Sequence, residues 1–177
     1  PYYDNGIKVF KGTGFKLSDD EEEQIEILFQ AASVDLPTGA DVGTVFSMEN
    51  ASEMYSDFCT NILPEERPLD GLKLILDCSN GATSECAGHI FRSMGATVEI
   101  IHNDPDGINI NDQCGSQHTQ DLSARVVAAG ADAGLAFDGD GDRLIAVDEK
   151  GGELTGDQIL AICAQAYKDK GVLTGNC

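Results

Sequence analysis

Ala133-Gly134-Leu135-Ala136-Phe137-Asp138-Gly139-Asp140-Gly141-Asp142-Arg143-Leu144-Ile145-Ala146-Val147 is the stretch on which the reading of this chain turns. An apolar run enters, three aspartates alternate with two glycines, an arginine comes next, and a second apolar run leaves. Short apolar runs bounded by turn residues are the mark of strands. The pattern therefore predicts a tight acidic loop held between two strands. Carboxylates so close together disfavour one another's charge unless a cation sits among them. Hard oxygen donors select a hard divalent cation such as Mg²⁺ or Ca²⁺. The glycines let the backbone curl so that alternate side chains converge.

A calcium loop of the EF-hand type is one competing reading. Asp138, Asp140, Asp142 and Glu149 fall at its ligand positions one, three, five and twelve, but its obligatory glycine at position six is Arg143. Its flanks should also be helices, whereas here they are apolar strands. An acidic turn that holds no metal is the other competitor, and the crowding of its charges weighs against it.

Outward from this loop, the preceding chain alternates strands and helices. Leu72–Asp77 reads as a strand, Asn80-Gly81 as a turn, and Thr83, Cys86, Ala87, Ile90, Phe91 and Met94 as one face of a helix ended by Gly95. Thr97–Ile101 is a second strand, 102–118 a polar loop, and Leu122, Val126, Val127 and Ala129 mark a helix closed by Gly130. After the acidic loop, Leu144–Asp148 turns through Glu149-Lys150-Gly151-Gly152 into Glu153-Leu154, and a final helix carries Ile159, Leu160, Cys163 and Tyr167. The expected fold class is α/β: a three-layer α/β/α arrangement whose mixed sheet has a parallel β-α-β-α-β core and a terminal hairpin.

Before this region the pattern differs. Gly6–Phe15 reads as a strand with a glycine turn, Asp19–Ala32 as a helix opened by the capping box of Ser18 and Glu21, Val42–Phe46 as a short extended segment, and 51–62 as a second helix. Pro64-Glu65-Glu66-Arg67-Pro68 breaks the chain and marks a domain boundary. The predicted division is 1–66, 67–152 and 153–177.

The 177 residues carry 31 acidic against 11 basic side chains, a net charge of −20. That argues against a nucleic-acid binder, which needs a basic face. No apolar run is long enough to span a bilayer, and no signal pattern opens the chain, so no membrane partner is expected. The chain starts at Pro1 without a methionine, which suggests a fragment or a processed product. Six cysteines lack any C-x-x-C spacing and read as free, mostly buried thiols of a cytoplasmic protein. His89 is expected to pack beside an apolar helical face. His102, at a strand end, shows no evident partner, and Ser116 and His118 read as structural.

The acidic loop in this strand context resembles the metal loop of the α-D-phosphohexomutases. Asp77-Cys78-Ser79-Asn80-Gly81-Ala82 is similar to the first strand–turn of that family's second domain. The segments Asp104–Asn111, Cys114–His118 and Gly151–Gln158 resemble its bacterial phosphoglucosamine mutase subgroup, and Pro1–Lys8 resembles the stretch immediately after the family's catalytic serine loop. The phosphoglucomutase and phosphomannomutase subgroups stay open, as does a non-catalytic cation-binding module.

The resemblance implies an isomerase that is an intramolecular phosphotransferase. It would interconvert glucosamine 6-phosphate and glucosamine 1-phosphate through a phosphoserine and a 1,6-bisphosphate, in amino-sugar metabolism supplying cell-wall precursors. It implies Mg²⁺ held by Asp138, Asp140 and Asp142. Arg143 would face the transferred phosphoryl group, or else pair with a loop aspartate. Lys8 would act near the reacting hydroxyl, in proton transfer or as a fixed charge. It assigns 1–66 to the end of a first domain lacking its serine loop, 67–152 to the second domain and 153–177 to the start of a third. The substrate is then a hexosamine phosphate, the partners are the remaining domains, a homodimer of the parent is left open, and the chain alone is expected to be inactive.

Overall fold

The computed structural model describes residues 2–4, 6, 8–31, 36–63 and 66–172. Ile7 of the expected first strand, Ala32 at the expected end of the first helix, Pro64 and Glu65 of the breaker, and Cys177 lie outside them, as do Pro1 and Asn5. Two compact units are present, one of Tyr2–Met48 and one from Glu49 onward.

In the first unit, helix α1 spans Asp19–Gln30. The Glu21 carboxylate accepts from the Ser18 backbone N–H at 2.8 Å and from its hydroxyl at 2.6 Å, and Lys11 Nζ lies 2.7 Å away. Four acidic residues in the first turn match the positive end of the helix dipole. The expected strand of residues 6–15 does not form. Among the described residues only an isolated antiparallel bridge, Phe10 to Lys16, remains of it. Val42–Phe46 likewise forms no strand and comes directly after a single 3-10 turn, Gly39–Asp41.

The second unit holds the sheet. Helix α2 (Ala51–Thr60) is followed by β1 (Lys73–Asp77), α3 (Ala87–Ser93), β2 (Thr97–Ile101), α4 (Gln120–Ala129), β3 (Ala133–Phe137), β4 (Leu144–Asp148) and α5 (Gly156–Asp169). The strand order is β2-β1-β3-β4. β1 pairs in parallel with β2 and with β3, while β3 and β4 run antiparallel across the acidic loop. The hairpin expected after Asp148 shrinks to one bridge, Val147 to Glu153. The helix read from Thr83 to Met94 is split: a 3-10 turn at Ala82–Ser84 precedes α3.

Because side chains alternate along a strand, β1 sends residues to both faces. Leu74 and Leu76 join Cys78, Ala87 and Ala96 in a cluster on the α3 side. Ile75 points the other way and packs with Leu122 and Val126 of α4, Ala136 and Val147. Helices thus cover opposite faces of the sheet, the three-layer α/β/α arrangement. Ile75, Leu76 and Asp77 are completely buried, as expected of a central parallel strand. By contrast α1 and α5 bury no residue, and Phe29 and Leu160 stand largely exposed. None of the described helices is long and apolar enough to cross a membrane.

The Lys11 and Ser18 hydrogen bonds, with Lys11's charge, lower the Glu21 pKa from its ordinary 4.5 to about 2. A depressed carboxyl contributes stability that is fully present above 4.5 and lost as pH falls through about 2. Titration of Glu21 followed by NMR is expected to show a midpoint near 2, with α1 fraying over the same range. Lys11→Ala should move that midpoint up toward the ordinary value.

Candidate functional site at the acidic loop

The loop sits where β3 ends, at the same end of the sheet as the turn after β1. Two backbone contacts lock the two turns together. Ala82 N–H donates to Gly139 O at 2.9 Å. Gly81 lies so close to Gly139 that a Cβ at position 81 would stand 2.4 Å from that same carbonyl oxygen. Only a residue without a side chain fits there. A third turn joins them: a Cβ on Gly115, at φ +73°, would meet Ser79 Cβ at 2.5 Å and Phe137 O at 2.6 Å.

Within the loop, Asp138 N–H donates to Arg143 O at 3.2 Å, and Gly141 N–H to Asp138 O at 3.0 Å. The Asp138 side chain is buried and accepts from Arg143 twice, from its backbone N–H and from Nε, each at 3.0 Å. Burial pushes the Asp138 carboxyl up, but the Arg143 hydrogen bonds and charge outweigh it and hold it below the usual value. Asp140 and Asp142 are exposed, and Arg143 Nε stands 3.8 Å from Asp142 Oδ1. The guanidinium therefore occupies the position of a cation between two of the aspartates. Arg143 thus pairs with a loop aspartate, and its side chain is largely exposed. A shallow cavity of about 340 Å³ opens beside Asp140, lined by Ser52, Tyr55, Thr83, Glu85 and Cys86.

The donor set of the loop, three carboxylates and no nitrogen or sulfur ligand, fits a hard divalent cation. The carboxylates do not yet close on one point. Among the described residues, the one metal-competent group whose ligand atoms gather within 4.8 Å is Asp77, His102 and Cys114. Lys8 belongs to the Tyr2–Met48 unit, where it is exposed and lines an open cavity of about 680 Å³ with Phe10, Lys16 and Ile25.

Two expectations about histidines change. His89 is exposed on α3 rather than packed, because the apolar face is carried by its neighbours Ala87 and Ile90. His102 stands between two carboxylates: Nδ1 lies 3.1 Å from Asp77 Oδ2, and Nε2 lies 3.4 Å from Asp121 Oδ2. Asp77 itself was missed as a special residue. Its buried carboxylate accepts from Ser79 N–H and Gly115 N–H, each at 2.9 Å. The available signal was an acidic residue closing an otherwise apolar central strand. Of the cysteines, Cys78 and Cys114 are buried, Cys59 and Cys86 half-buried and Cys163 exposed, all as free thiols. Burial, with Asp77 nearby, pushes the Cys78 and Cys114 thiols up to about 11.

Residues 53–152 match the family described as phosphoglucomutase/phosphomannomutase, alpha/beta/alpha domain II. The chain belongs to that family. Its similarity extends to the phosphoglucosamine mutase of Syntrophobacter fumaroxidans, 51% identical over 98% of this chain and 39% of the relative. The phosphoglucosamine mutase of Syntrophus aciditrophicus is 50% identical over 99% of the chain and 40% of its own length. A solved phosphoglucomutase/phosphomannomutase family protein from Burkholderia thailandensis is 28% identical with a TM-score of 0.55, covering 67% of this chain and 26% of that one. The chain thus spans about 40% of the length of the curated relatives it matches. In this phosphohexomutase chain the acidic loop and the β1 turn both lie inside the matched second domain.

Gly81→Ala drives a Cβ into the Gly139 carbonyl, which belongs to backbone and cannot rotate away. The expected cost is about 1–3 kcal/mol, the usual range for overpacking, read as a lower urea midpoint. Gly139→Ala meets only the ends of the Asn111 and Ile110 side chains and should cost less.

Proposed function

We propose that the protein carrying this chain is a phosphoglucosamine mutase, an isomerase that moves a phosphoryl group within a hexosamine phosphate by way of a phosphoserine and a 1,6-bisphosphate. The observation that carries the reading is the loop Asp138–Arg143 at the end of β3, clamped backbone to backbone by the turn after β1. The relatives named phosphoglucosamine mutase, about half identical over nearly the whole chain, support the choice of subgroup.

Phosphoryl transfer needs charge neutralisation and in-line positioning more than covalent help. Asp138, Asp140 and Asp142 would hold Mg²⁺, which when bound supplies positive charge against the transferred phosphoryl oxygens. The rest falls to side chains of the chain itself. Arg143 releases Asp138 and turns its planar fork toward the phosphoryl oxygens, which it can bridge two at a time. Asp138, already ionised by its surroundings, is then an acceptor without needing to lose a proton. Lys8 contributes a positive charge near the sugar hydroxyl that attacks or leaves, and can hold or pass its proton.

In this reading 1–66 belongs to the end of a first domain, 67–152 is the second domain, and 153–177 begins a third. The exposed apolar side chains of α1 and α5, such as Phe29 and Leu160, would pack against the rest of the longer protein. The protein would be cytoplasmic, with a hexosamine phosphate as its partner rather than nucleic acid or membrane, and its association as a homodimer is testable by sedimentation.

The deciding experiment assays the full-length protein against glucosamine, glucose and mannose 6-phosphates with Mg²⁺ present. Preferred turnover of glucosamine phosphate is expected, and equal or better turnover of glucose phosphate overturns the subgroup. Asp142→Asn should lower kcat by more than the roughly 10–100-fold that accompanies loss of an outer partner of a metal ligand. The 177-residue chain alone should show no turnover.

A further inference from the structure

Asp77, His102 and Cys114 converge from three separate places: the end of β1, the residue after β2, and the polar loop before α4. One ligand atom from each lies within 4.8 Å of the other two. Asp77 is fully buried and Cys114 is 1% exposed, while the His102 side chain keeps 25% of its surface. The group therefore sits inside the fold, and of the three side chains His102 reaches furthest toward solvent.

The polar atoms are arranged as they are around a metal. The buried Nδ1 of His102 has no aligned hydrogen-bond partner, although Asp77 Oδ2 is 3.1 Å away. On the opposite side of the ring, Nε2 faces the Asp121 carboxylate at 3.4 Å. An outer carboxylate at one ring nitrogen is the usual device that fixes a histidine tautomer with the other nitrogen's lone pair directed at a metal. The sulfur has an outer partner as well, Asn80 Nδ2 at 3.9 Å. Each Asp77 oxygen accepts one backbone N–H, which leaves a second lone pair on each.

We propose that Asp77, His102 and Cys114 form a site for a borderline-soft divalent transition metal of the zinc type, separate from the acidic loop. Carboxylate, imidazole and thiolate together are a zinc donor set, and Mg²⁺ takes oxygen only. Metal bonds of roughly 2.0–2.3 Å in a tetrahedron require donors roughly 3.3–3.8 Å apart. His102 Nδ1 and Asp77 Oδ2, 3.1 Å apart, already stand near that spacing. Three protein ligands leave a fourth position open, which water can take.

Stripped of metal, the protein is titrated with Co²⁺ in a large excess of Mg²⁺, which keeps the acidic loop out of the readout. One Co²⁺ per chain is expected, with a thiolate-to-cobalt charge-transfer band that Zn²⁺ abolishes by displacement. Cys114→Ser and His102→Ala should each remove the band and weaken binding at least about tenfold. Cys163→Ser and Asp140→Asn should leave both in place. His102, being part-exposed, serves as the deciding variant if Cys114→Ser fails to fold. Absence of stoichiometric Co²⁺ binding in the unaltered protein overturns the proposal, as does a band that survives His102→Ala or disappears in Asp140→Asn. None of these outcomes depends on mutase activity, so the site and the proposed reaction stand or fall separately.

Discussion

A carboxylate with no solvent exposure closes the central strand of this fold, and the local structure is built around satisfying it. Burying a charge without partners is costly. Asp77 meets that cost with the N–H groups of Ser79 and Gly115, and His102 Nδ1 lies 3.1 Å from its carboxylate. These three residues belong to three different stretches. The same carboxylate therefore ties the turn after β1 and the loop before α4 into one block, with the residue after β2 beside it. Leaving out either N–H would strand a buried carboxylate oxygen, so the stretches that carry Ser79 and Gly115 are held to β1.

That block is what gives the acidic loop a fixed place. The turn tied down by Asp77 runs on into Gly81 and Ala82, which press on Gly139. Gly115 touches the carbonyl of Phe137, the last residue of β3. The loop is thus held by backbone on backbone, with little freedom for its main chain. Asp140, Asp142 and Arg143 are exposed, while Asp138 is buried against Arg143. A site for a transferred group gains from such a division, because the buried part sets position and the exposed part responds to charge.

Several readings made from residue order survive because they rest on short-range physics. The boundaries of β1, β2, β3 and β4 match apolar runs between turn residues, and α4 ends at Gly130 in a left-handed conformation. The Ser18–Glu21 capping box opens α1 where the pattern put it. Readings that failed had no such support. The segment of residues 6–15 has strand-forming residues, but the bridge it forms among the described residues is the single one from Phe10 to Lys16, and a stable strand needs a longer ladder. The helix expected from Thr83 is interrupted because the chain there first serves the contact with Gly139. His89 is next to an apolar stripe in sequence but off it in rotation.

By itself, the sequence determined the α/β class, the alternation of elements and the presence of an acidic loop between two strands, since each is encoded in periodicity and turn chemistry. It also marked Asp138, Asp140, Asp142 and Arg143 as the residues of that loop. Only the tertiary structure decided what each of them touches. Asp138 is buried and paired with Arg143, whereas Asp140 and Asp142 face outward. Nor could residue order place Asp77, His102 and Cys114 together, because they are separated by 25 and 12 positions and meet only when β1 pairs with β2 and the next loop folds back. Contacts of that kind depend on strand order and on the path of a loop, and those are settled by packing across the whole sheet rather than by any one segment.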